Sequence, residues 1–73
     1  MIRSPFYIAM GTRIALLRKA NGLGQKELAE KLYTTTKVVS DIEIGRRYLN
    51  AHEVDQLCNL FAVTASQLLG RTE

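Results

Sequence analysis

Thr36, Lys37, Ser40 and Asp41 fall at i, i+1, i+4 and i+5, a spacing that brings all four to one face of a helix. Together they offer hydroxyl, ammonium and carboxylate groups, which can bond base edges or phosphate oxygens. Lys37 can donate to guanine O6 and N7, and the Thr36 methyl can pack on a thymine methyl. Asp41 fits such a surface less readily. An acid close to phosphates is repelled unless it accepts from a cytosine amino group or pairs with a nearby Arg or Lys. Thr35, just ahead, can cap the helix and touch a phosphate. Arg46 and Arg47 follow Gly45, with Tyr48 beside them. A cation at a helix C-terminus is favoured in any protein, but two in one loop suit phosphate clamps, which fix orientation without reading sequence. The competing reading of all these residues, and of Lys26, is a solvated polar surface.

The elements that must position this face are two short helical patterns. Leu28, Ala29 and Leu32 make a narrow apolar stripe among Lys26, Glu27, Glu30 and Lys31, and Val38, Val39 and Ile42 repeat the spacing. Only Tyr33 and Thr34 remain between the two patterns once Thr35 is taken as N-cap. So short a link makes the second helix cross the first steeply, leaving its outer face proud of the domain. That is the geometry of a helix offered to a DNA major groove.

The 73 residues make one small domain, close to the lower limit for a self-sufficient core. With 47% hydrophobic and 23% charged residues the composition is globular. Ten Lys and Arg against seven Asp and Glu give +3, a modest excess whose placement says more than its size. Cys58 is the single cysteine, which excludes an intrachain disulfide and a Cys-rich metal site. His52 and Cys58 fall on different helical faces with no further His or Cys to complete a metal or catalytic set. No enzyme, cofactor or small-molecule ligand is expected. No apolar run reaches the ~20 residues of a membrane span, and the start lacks a secretory signal pattern. A cytoplasmic location, away from membranes, follows as an expectation.

Along the rest of the chain, Ser4-Pro5 offers a helix start, with Ser as N-cap and Pro at the first helical position. Gly11 inside the pattern costs roughly 1 kcal/mol relative to Ala, so a start near Met10 stays open too. Phe6, Met10, Ile14, Leu17 and Ala20 form the apolar stripe, and Asn21-Gly22 ends the helix. Gly24 stands where the second helix would favour Ser or Thr as cap. Asn50 with Glu53, and Thr64 with Gln67, are capping-box pairs that open a fourth and a short fifth helix, the last closed by Gly70. Val54, Leu57, Leu60 and Phe61 give the fourth helix its apolar face. Cys58 reads as a small core residue and His52 as exposed. The fold class is all-α: a compact bundle of five short helices. Residues 1–9 read as an N-terminal arm or an extension of the first helix, 10–70 as the domain, and 71–73 as a tail.

These residues resemble the Cro/CI-type, Xre-like helix-turn-helix family, over roughly Met10 to Leu69. The resemblance rests on Arg18, Gln25, Glu27-Leu28-Ala29, the run from Ser40 to Arg47, and the closing Val63-Thr64 and Leu68-Leu69. It implies a lambda-repressor-like fold and a sequence-specific regulator that binds double-stranded DNA. It also implies that Gln25 bonds a phosphate and buttresses the recognition helix, and that Arg18 and Glu43 form a partly buried ion pair that aims it. Three positions depart from the family pattern: Tyr33 replaces a small turn residue, Thr34 an apolar one, and Leu49 a proline, which suggests a freer basic loop. The family's usual dimer, set on half-sites about one helical turn apart, would here be a homodimer built from the domain itself. Leu49, Leu60, Phe61 and Leu69 are the candidate interface, with Ile2 and Phe6 of the arm as a second. Restriction–modification controllers, Cro-like switches and antitoxins share this outline. The alternative function is a protein-interaction module on the same scaffold, without DNA contact.

Overall fold

Backbone capping divides the chain into α1 (Pro5–Ala20), α2 (Gln25–Lys31), α3 (Thr36–Glu43), α4 (Ala51–Phe61) and α5 (Ala65–Leu69), in a computed structural model that describes residues 4–70. The expected tail and the first residues of the arm, including Ile2, lie outside the described residues. The five-helix, all-α bundle anticipated from the sequence is the fold that forms. Each helix start carries the local bond its sequence encodes. The Ser4 hydroxyl accepts from the Tyr7 N–H, so α1 begins at Pro5 and not at Met10. Thr35 accepts from the Val38 N–H. Asn50 and Glu53 exchange reciprocal bonds, as do Thr64 and Gln67. Gly24 has no side chain to cap with, and its N–H instead donates to Glu27 Oε1 at 2.6 Å.

One core collects Met10, Ile14, Leu28, Ala29, Leu32, Val39, Ile42, Leu57, Phe61 and Leu68. The stripe of α1 differs from the expected one. Its buried residues are Met10, Gly11, Ile14 and Arg18, whereas Phe6 and Ala20 are exposed and Leu17 is half-buried. The reason is Gly11. A Cβ there would collide with the backbone oxygens of Ile42 and Glu43, the latter at 2.5 Å. The two helix backbones meet at this point, and the contact rotates α1 so that its glycine, not its bulkiest side chains, faces α3.

The link between α2 and α3 is a Schellman turn. The Thr34 N–H donates to Ala29 O and the Tyr33 N–H to Glu30 O, with Tyr33 itself left-handed at φ 58°. Tyr33 is 90% exposed, so this conformation is set by backbone bonds and not by side-chain packing. α3 ends the same way on Gly45 (φ 80°), where a Cβ would lie 2.8 Å from the Ile8 side chain. No helix among the described residues is long and apolar enough to cross a membrane.

Candidate nucleic-acid interface

The anchor of α3 is built from three helices. Arg18 on α1 donates through Nε to Glu43 Oε2 at 2.7 Å and through Nη2 to Oε1 at 3.1 Å, and its Nη1 donates to Leu23 O. Both side chains are nearly buried, at 10% and 6% exposure. The hydrogen bonds to Glu43, helped by its charge, outweigh the opposing effect of burial and raise the Arg18 pKa, which keeps the guanidinium charged. Gln25 on α2 adds a third donor, Nε2 to Glu43 Oε1 at 2.9 Å. An amide nitrogen carries two hydrogens, so Gln25 retains one N–H for an anion while the other braces Glu43.

Thr36 and Lys37 stand exposed, and Ser40 and Asp41 are half-exposed on the next turn. None of them is enclosed by neighbouring segments. Asp41 is not free, however. Its Oδ2 accepts from Lys37 Nζ at 3.3 Å, and its Oδ1 lies 3.9 Å from Arg46 Nη1. The pairing considered for an acid among phosphates is therefore made within the protein. Thr35 is exposed while capping the helix.

Arg47 turns away from Arg46. Its Nη1 lies 2.9 Å from both carboxylate oxygens of Glu53 and also donates to Tyr48 O. Burial pushes the Glu53 carboxyl up, but the bonds from Arg47 and from the Asn50 N–H, with the Arg47 and His52 charges, prevail and hold it below its ordinary value. Tyr48 packs edge-on against Tyr7 with ring centroids 4.5 Å apart. Arg47 and Tyr48 thus each tie the basic loop to a neighbouring helix, Arg47 to α4 and Tyr48 to α1. Tyr7 and Arg13, whose Nη1 donates to Leu68 O at the end of α5, are positioning residues with no signature in the local sequence. Both partners are tens of residues distant.

The proposed interface residues divide between two surfaces. Leu49 and Leu69 line a cleft of about 290 Å³ together with Phe6, Tyr7 and Val54. Leu60 and Phe61 line another, of about 280 Å³, with Leu23. Phe61 belongs mainly to the core. Among the described residues, no three His, Cys, Asp or Glu side chains gather as metal ligands would.

Residues 11–73 match the sequence model of a helix-turn-helix domain. The chain belongs to the helix-turn-helix family, of the Xre-like type. The helix-turn-helix unit is α2, the Tyr33 turn and α3. Over 61 residues the chain is 33% identical to the HTH-type transcriptional activator BcrR of Enterococcus faecalis, covering 84% of this chain and 30% of that one. It therefore spans under a third of that relative's length. The restriction-modification controller protein C.AhdI of Aeromonas hydrophila superposes with a TM-score of 0.77 at 26% identity, over 85% of this chain and 90% of that one. The clp gene regulator ClgR of Corynebacterium glutamicum shares the fold at a TM-score of 0.81 and 21% identity, over 92% and 86%.

Proposed function

We propose that this helix-turn-helix regulator binds a palindromic operator as a homodimer, with α3 in the major groove. The observation that carries the reading is the anchored, outward polar face of α3. Thr36, Lys37, Ser40 and Asp41 supply the base contacts, Asp41 by accepting from a cytosine amino group. Gln25, Thr35 and Arg46 supply phosphate contacts that fix the register, and Arg47 joins them through the guanidinium nitrogens that Glu53 and Tyr48 leave unbonded. A single such helix reads too few base pairs for useful discrimination. The domain measures 30 × 29 × 21 Å, so two copies side by side hold their reading helices close to the ~34 Å of one duplex turn. The cleft shared by Phe6, Leu49 and Leu69 supports a dimer contact at the start of α1, the start of α4 and the end of α5.

A second reading, a protein-interaction module without DNA contact, draws support from the pairing of Lys37 with Asp41 and Arg47 with Glu53. A gel shift on the gene's own upstream region separates the two. DNA binding predicts retention whose log affinity falls linearly with log salt. Absence of retention at low salt discards the proposal in favour of the protein partner. Sedimentation with and without that duplex tests the dimer: a monomer at tens of micromolar in both cases removes it.

A further inference from the structure

We infer that Asp41 is a specificity residue that acts by internal competition, holding Lys37 and Arg46 back from any duplex that offers its carboxylate no donor. The inference rests on the DNA-binding reading above and adds a role for the charge cluster on α3. Each oxygen of the Asp41 carboxylate faces a different cation, Oδ2 toward Lys37 and Oδ1 toward Arg46. Lys37 comes from the first turn of α3 and Arg46 from just beyond its last, so one acid spans both ends of the reading face.

The exposures define how the cluster works. Lys37 is 79% exposed and Arg46 45%, but Asp41 only 21%. The cations are long and solvated, while the shorter acid lies closer to the helix surface. Pairs this exposed are individually weak, which is what a readily exchanged contact requires. When α3 enters a groove, Lys37 and Arg46 reach base edges and phosphates only by leaving Asp41. The carboxylate is then stranded beside the polyanion with its partners gone. At most sequences it finds only acceptors and is repelled. Where a cytosine N4 amino group lies opposite, it gains a donor and the penalty is reduced. The same acid therefore lowers affinity for every duplex and lowers it least for one base identity, which is specificity by rejection of the wrong partner.

The test uses the full chain and the duplexes it retains from a randomised pool, compared with a random-sequence duplex of equal length. D41N keeps the side-chain shape and removes the charge. D41A is measured beside it, because Asn can itself bond adenine. Both variants are expected to bind the random duplex about two- to fivefold more tightly, the scale of one or two released surface pairs. The ratio of selected to random affinity falls. In D41A, selection no longer enriches cytosine at one position of each half-site. The salt slope on random DNA steepens by up to about one unit for each cation released. Thermal unfolding of both variants checks that the fold is kept. If wild type binds DNA and neither variant changes the affinity ratio or the cytosine preference, this inference fails and the DNA-binding reading stands. If wild type retains no duplex, both fall.

Discussion

Arg18 and Glu43, twenty-five residues apart, meet through two hydrogen bonds in a bidentate pair that Gln25 completes from a third helix. Removing one member leaves the other charge buried with no counter-ion, so Glu43→Ala is expected to cost about 3–5 kcal/mol in urea unfolding. Replacing both, as Arg18→Met with Glu43→Leu, is expected to cost less than Glu43→Ala alone. A double replacement as damaging as the single one contradicts that account. Gln25→Ala leaves the pair intact and is expected to cost about 1 kcal/mol.

Gly11 reverses the usual helix-propensity rule. Alanine would gain up to about 1 kcal/mol in an open helix, yet its Cβ would strike the backbone of α3 at Ile42 and Glu43. Gly11→Ala is expected to destabilise the fold by about 1–3 kcal/mol. In a domain of this size that lowers Tm by about 4–8 °C per kcal/mol. A rise in Tm would contradict the close approach of α1 and α3.

Tyr33 runs the opposite way. A left-handed, exposed tyrosine carries the steric cost that glycine avoids. Tyr33→Gly is expected to stabilise by about 1 kcal/mol, after allowing for the extra freedom glycine gives the unfolded chain. Calorimetry decides the sign.

Acid should weaken the start of α4. The Glu53 carboxyl is held below its ordinary value of 4.5. Its contribution to stability is therefore present above that value and is lost as pH falls through the lower, folded-state value. Glu53→Gln is expected to flatten the acid limb of the stability profile and to change little of its neutral-to-alkaline shape. An unchanged acid limb argues that other carboxylates govern it.

On DNA, Lys37 and Arg46 are expected to behave differently although both touch Asp41. Lys37→Ala relaxes the preference at its own base position, worth about 1–3 kcal/mol of discrimination. Arg46→Ala leaves the base preference at each position unchanged but weakens the selected duplex more than random DNA, where Asp41 already holds Arg46 back. It also shallows the salt slope on the selected duplex by about one unit. Competition gel shifts on the selected and random duplexes read both effects.

The sequence alone determined the five helices, the starts of α2 to α5 and the polar face of α3, and left the start of α1 open between Pro5 and Met10. Ser4, Thr35, Asn50 with Glu53, and Thr64 with Gln67 cap by bonds that reach only three residues, so their signal lies within one turn of chain. The Arg18 to Glu43 tie was legible only through family resemblance, because nothing local links the two. The tertiary structure alone decided why Gly11 is glycine, why Phe6 faces out, and how Tyr7 holds Tyr48. It also decided that Arg47 spends its charge on Glu53 while Arg46 joins Lys37 around Asp41. Those outcomes depend on how closely helices cross and where long side chains then reach. A periodic pattern fixes which face of a helix is buried in outline, but not the rotation at which two backbones come to touch.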